Sequence, residues 1–121
     1  MSIKSFRDLI VWQKAMVLVT EIYGITKIFP KDEIYGLTSQ IRRSAISVPS
    51  NMAEGYGRNS TLDYTRFLQI ARGSLYELQT QLEIAANIDY LQSAQYEEIT
   101  HAINEIERML KSIIKKLSKK T

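Results

Sequence analysis

Cysteine is absent from the 121-residue chain. That excludes disulfides, thiolate metal sites and cysteine nucleophiles. A secreted domain of this size commonly leans on disulfides, so a cytoplasmic home is expected. Proline occurs twice and glycine five times, and no stretch alternates apolar and polar residues as a half-buried strand does. No apolar run approaches the roughly 18 residues of a membrane span. The opening "MSIKSFRDL" lacks the apolar region of a secretory signal. There is one histidine, His101. With Glu98 it has the Glu-x-x-His spacing of di-iron bundles, but such a site needs two of these motifs and further carboxylates. His101 therefore reads as a solvated residue near a helix start. The "GYG" of Gly55–Gly57 follows a helical pattern rather than a strand, so it reads as a turn and not as a dinucleotide fingerprint. No catalytic residue, metal or cofactor is expected.

What is present is ordinary for a globular chain: 45% hydrophobic and 24% charged residues, with a net charge of +3. The length suits one domain, residues 1–121. Helical spacing appears four times. The first segment runs from about Phe6 to Phe29, opened by a capping box of Ser5 and Asp8. It has two apolar stripes, Leu9/Trp12/Met16/Val19/Tyr23 and Val11/Ala15/Leu18/Ile22/Ile25/Phe29, and two apolar faces need two things to bury against. One is the bundle core and the other a neighbouring subunit. The second helix is expected over Glu33–Tyr56, with Ile34, Leu37, Ile41, Ala45, Val48 and Met52 facing the core. The third, capped by Ser60 with Asp63, runs to about Asn87 on Tyr64, Phe67, Ala71, Leu75, Leu78, Leu82 and Ala85. Ser93 caps the fourth, whose seam is Ile99, Ile103, Ile106, Leu110, Ile113 and Leu117, in heptad steps. Four helices on short turns predict an all-α, up-down-up-down four-helix bundle.

The second helix poses a question. Its stretch "SVPSNMAEGYGR", from Ser47 to Arg58, holds a proline, a row of small polar residues and two glycines. Proline inside a helix costs about 3 kcal/mol, through a missing donor and a clash with the carbonyl four residues back. A kink at Pro49 would bend the helix around its neighbours, and Ser44, Ser47 and Ser50 would let another helix come close. The residues Gln40, Arg43, Ser47, Pro49, Asn51, Glu54 and Gly55 therefore read as a packing and assembly motif, in preference to a direct ligand site.

These residues also carry a resemblance. "GLTSQIRRSAISVPSNMAEGYGR" (Gly36–Arg58), with "FLQIARGSLYELQTQL" (Phe67–Leu82) and the opening "FRDLIVWQKAMVL", resembles the bacterial four-helix-bundle family named for proteins encoded in 23S rRNA intervening sequences. The accessory protein of diversity-generating retroelements is a more distant relative. The resemblance implies a ring-like homo-oligomer, a pentamer, without enzymatic activity, and more weakly an association with nucleic acid.

Charge supplies the remaining expectation. Cutting each helix at its middle puts residues 1–17, 46–73 and 106–121 at one end of the bundle, with 12 basic and 4 acidic residues. The other end has 4 basic and 9 acidic residues. A ring of parallel subunits would gather the positive charge on one rim, where it attracts phosphate. The candidate nucleic-acid residues are Arg58, Arg66, Lys111, Lys115, Lys116, Lys119 and Lys120. Stacking aromatics are not evident among them, so RNA or DNA would be held by its backbone with little sequence preference. A structural adaptor for an acidic protein partner is the alternative.

Overall fold

The computed structural model describes residues 2–119. It contains four helices: α1 (Ile10–Thr26), α2 (Leu37–Tyr56), α3 (Thr61–Asn87) and α4 (Ser93–Ser118), with no strand among the described residues. Sequential helices pack side by side, α4 closes back on α1, and the diagonal pairs have no close backbone approach. The α2–α3 contact is the most extensive. This is the expected up-down-up-down bundle.

The core forms along one stripe of each helix. Val11, Ala15, Leu18 and Ile22 of α1 meet Ile41, Ala45, Val48 and Met52 of α2, Leu68, Ala71, Leu75, Leu78, Leu82 and Ala85 of α3, and Ile99, Ile103, Ile106, Leu110 and Ile114 of α4. The second stripe of α1 thus enters the core. The first is only partly covered: Leu9, Trp12 and Val19 pack on the core edge while Met16 and Tyr23 stay exposed.

Several boundaries differ from expectation, each for a local reason. The Ser5–Asp8 capping box forms, but it caps a single 3₁₀ turn, Phe6–Asp8. Leu9 is extended (φ −74°, ψ 121°), so α1 begins at Ile10 rather than Phe6, and it ends at Thr26 rather than Phe29. The second helix begins at Leu37 rather than Glu33. Lys31–Glu33 form another 3₁₀ turn, and Ile34, expected in the core, is exposed. Glu33 supplies the cap instead: its Oε1 accepts from the Leu37 N–H at 3.1 Å and its Oε2 from the Tyr90 hydroxyl at 2.9 Å. Those two hydrogen bonds, the backbone one foremost, hold the Glu33 carboxyl below the usual carboxylate range. Ser60 caps α3 through the Asp63 N–H, as expected. Leu68 rather than Phe67 is the fully buried residue near its start. Gln92, not Ser93, caps α4, in a capping box with Gln95. Near its end Ile114 is buried and Ile113 only partly so, because a 3.6-residue helix drifts off a strict heptad.

α2 runs unbroken through Pro49, which is buried. Gly57, read as a turn glycine, lies in the right-handed region (φ −77°). Gly55 is where glycine is needed. A Cβ there would stand 2.7 Å from the Phe67 Cβ, 3.1 Å from the Tyr64 Cδ1 and 3.2 Å from the Tyr64 carbonyl oxygen. Only a bare Cα lets α2 and α3 come this close. The α3–α4 connection is a Schellman turn in which the Tyr90 N–H bonds to the Ala85 carbonyl and the Asp89 N–H to the Ala86 carbonyl. Asp89 takes the left-handed position (φ 64°) and is the one described non-glycine residue with positive φ.

Candidate nucleic-acid interface and the α2–α3 groove

Four cations of α4, Arg108, Lys111, Lys115 and Lys119, recur at three- and four-residue steps and share one exposed face. Lys116 is exposed beside them. Among the described residues Arg108, Lys115, Lys116 and Lys119 have no ion-pair partner. Lys111 acts on Glu107, whose carboxyl is held below the usual range mainly by the Tyr76 hydroxyl and then by Arg72. Lys120 lies outside the described residues. Arg58 and Arg66 are placed at the same end of the bundle, and each has a carboxylate beside it. Arg58 pairs with Glu54 at 3.0 Å and lies over the Phe67 ring at 4.8 Å, and Arg66 pairs with Asp63 at 3.7 Å. The largest set of cations without an ion pair among the described residues is therefore the α4 face, with exposed Lys4 and Arg7 unpaired at the same end. Arg108 belongs to it, although the sequence reading left it out. Its three-residue step before Lys111 was the signal.

The opposite end is richer in carboxylates. Glu21 on α1 is pushed up from its usual value by partial burial and then by the neighbouring charge of Glu98 on α4. Asp89 adds a negative charge beside the C-terminus of α3, where the helix dipole disfavours it.

The packing motif divides between two grooves and the bundle interior. Ser47 Oγ and Ser74 Oγ are hydrogen-bonded across α2 and α3 at 2.8 Å. Asn51 Nδ2 donates to both the Ser47 carbonyl (2.8 Å) and Ser47 Oγ (2.9 Å). It thus braces α2 on either side of Pro49, whereas Glu54 pairs with Arg58 in the turn just beyond the end of α2. Gln40 and Arg43 line an open polar groove of about 520 Å³ between α2 and α3, together with Tyr35, Glu77 and Gln81. On the other side of α2, Pro49 joins Trp12, Met16 and Ile46 in an apolar groove of about 330 Å³ against α1. Met16 and Ile46 are 42% and 41% exposed there, an apolar surface left open among the described residues.

His101 is exposed. Among the described residues no group of three or more histidine, cysteine, aspartate or glutamate side chains is placed to hold a metal ion, and no helix is long and apolar enough to cross a membrane.

A family model described as 23S rRNA-intervening sequence protein matches residues 7–112. The crystal structure of a protein of unknown function from the S23 ribosomal protein family of Bacteroides thetaiotaomicron is similar to the chain, at 29% sequence identity and a TM-score of 0.82. The similarity covers 88% of this chain and 99% of that one. No curated protein matches the chain.

Proposed function

We propose that this chain, which belongs to the 23S rRNA-intervening sequence protein family, is a non-enzymatic, self-assembling helical bundle of the cytoplasm that holds nucleic acid at its basic end. The observation that carries the reading is the α4 face. Its cations are exposed and none of them makes an ion pair among the described residues, so they remain available to phosphate. The family's description ties such chains to ribosomal RNA, which favours RNA as the nucleic acid. Assembly into a ring, a pentamer by likeness to the family, is supported by the uncovered apolar groove between α1 and α2. A head-to-tail interface that closes on itself leaves no open end. The same groove favours a second reading, a structural adaptor that docks a protein partner.

The test replaces Lys115, Lys116, Lys119 and Lys120 by glutamine. Ile114 and Leu110 stay in place, so the bundle is kept. Affinity for RNA and DNA of any sequence should fall. The slope of log affinity against log salt should shrink by roughly 3 if all four lysines of a subunit meet single-stranded phosphate. Lys27→Gln with Lys31→Gln, at the other end, should change little. Equal losses from both sets would mean diffuse attraction without a site. No binding by the wild type at low salt would remove nucleic acid and leave the adaptor reading. Sedimentation showing only a 13.9 kDa monomer would remove the ring.

A further inference from the structure

The polar groove between α2 and α3 is chemically unfinished. Arg43 and Glu77, of opposite sign, line it without an ion-pair or hydrogen-bond partner among the described residues. Gln81, also in its wall, has a buried Oε1 that accepts no hydrogen bond. A buried acceptor left unmet is desolvated without compensation. The hydroxyls of Ser47 and Ser74, by contrast, already satisfy each other. At one edge stands Tyr35, 96% exposed. An aromatic ring held almost wholly in water buries nothing of its own.

These groups ask for one kind of ligand. It must bring N–H donors for Gln81 Oε1 and the Glu77 carboxylate, acceptors for the Arg43 guanidinium and the Gln40 amide, and a flat face for Tyr35. Arg43 and Glu77 balance each other's charge within the groove, so an uncharged inserted part matches it. We infer that the α2–α3 groove is a nucleobase pocket, in which Tyr35 stacks on the base and Arg43, Glu77 and Gln81 read its edge. Unstacked bases are recognised in this way, by aromatic stacking and by hydrogen bonds along an exposed edge. The volume of about 520 Å³ has room for a nucleoside. The base comes from a free nucleoside or from an RNA strand. In the second case the inference rests on the proposed nucleic-acid function. Arg43 stands 13 residues before Tyr56, the last residue of α2, about 20 Å along the helix, so one strand held at the basic end can extend to the pocket.

The experiment separates the two sources and separates this inference from the function above. Calorimetry of the full chain with adenosine, guanosine, cytidine and uridine tests the free source. Fluorescence anisotropy with labelled eight-nucleotide homopolymers of each base, across a salt series, tests the strand. One base should be preferred roughly tenfold, as for a well-matched edge. Tyr35→Ala, at a position with no packing to lose, should weaken the preferred ligand about tenfold. Gln81→Leu should abolish or reorder the preference. Neither variant should change the salt slope, whereas the α4 glutamine set should change the slope and keep the preference. Homopolymer binding without base preference, unmoved by Tyr35→Ala and Gln81→Leu, would overturn the pocket and leave the basic end standing. Nucleoside binding without RNA binding would support the pocket and overturn the nucleic-acid function. Neither kind of binding would overturn both. A wild type that binds no nucleoside, with Arg43→Glu shifting its sedimentation, would overturn the pocket by showing that a second copy fills the groove.

Discussion

Three glycines inside helices give a test of how close α2 and α3 stand. Gly→Ala in a helix interior ordinarily stabilises by about 1 kcal/mol, because alanine gives up less backbone entropy on folding. Gly24 in α1 and Gly73 in α3 have nothing within 4 Å of an added Cβ, so each alanine variant should gain about that much. Gly55 should behave oppositely. Its added Cβ would sit 2.7 Å from the Phe67 Cβ, well inside the 3.4–4 Å of ordinary contact. The neighbours are a Cβ, a tyrosine ring carbon and a backbone oxygen, and two of these cannot move without α3 moving. Overpacking of this kind costs about 1–3 kcal/mol. Set against the propensity gain, Gly55→Ala should leave the protein between unchanged and about 2 kcal/mol less stable. It should then lie about 1–3 kcal/mol below Gly24→Ala and Gly73→Ala, a separation of several degrees in Tm for a domain of this length. Urea unfolding followed by circular dichroism, at one fixed protomer concentration so that association cancels, reads all three. If Gly55→Ala gains as much as the other two, the close approach of α2 and α3 is refuted. If Gly24→Ala or Gly73→Ala loses stability and shifts sedimentation, that open face is covered by a second copy.

Other consequences follow from single residues. Asp89→Gly should stabilise by about 0.5–1 kcal/mol in thermal unfolding, because it relieves a left-handed aspartate and removes a negative charge from a helix C-terminus. No gain would mean that the aspartate makes a compensating contact. Glu107 carries a depressed carboxyl held by Tyr76 and Arg72, so its contribution is full above the ordinary carboxylate range and is lost as pH falls through the lowered value. The stability gap between wild type and Glu107→Gln should therefore be constant near neutrality and close below about pH 4 in acid titration. A gap that persists at pH 2 would refute the ionic origin. Pro49→Ala restores a backbone donor but deletes a ring from the apolar groove. It should alter sedimentation more than helix content, and a variant unchanged in both would show that the proline has no part in assembly.

Most of the bundle could be read from periodicity, because core burial imposes one apolar stripe per helix whatever the ends do. The ends were harder. Glu33 is four residues before the N–H it caps, and its other oxygen is held by Tyr90, 57 positions away in sequence, so no local pattern could place the start of α2 at Leu37. Ile34 looked like a core residue because it kept step with Leu37 and Ile41, yet the 3₁₀ turn before Leu37 breaks the phase and turns it outward. The slip from Ile113 to Ile114 has a different cause, since three- and four-residue steps cannot tell a heptad from a straight helix until several turns accumulate the difference.

Gly55, Pro49 and the small polar residues of "SVPSNMAEGYGR" turn out to serve different surfaces, which a linear reading cannot separate. Gly55 admits α3, Pro49 lines the groove beside α1, and Ser47 with Asn51 ties the polar seam to Ser74. On the site, the sequence told the sign of the charge at each end but not which charges were spent. Arg58 and Arg66 were equal to the lysines of α4 until the structure placed Glu54 and Asp63 against them. Whether a cation attracts phosphate depends on the carboxylate within 4 Å of it, and an i,i+4 or i,i+3 acid, as here, is the one such neighbour a sequence does reveal. Applied along α4, the same check passes Lys115, Lys116 and Lys119 and flags Lys111, whose position four back is Glu107, and Arg108, whose position three back is Glu105; in the structure Glu105 pairs with Lys14 of α1 instead. The basic end is therefore narrower than its composition suggests. A strand bound there should depend on α4 and be nearly indifferent to Arg58→Gln and Arg66→Gln.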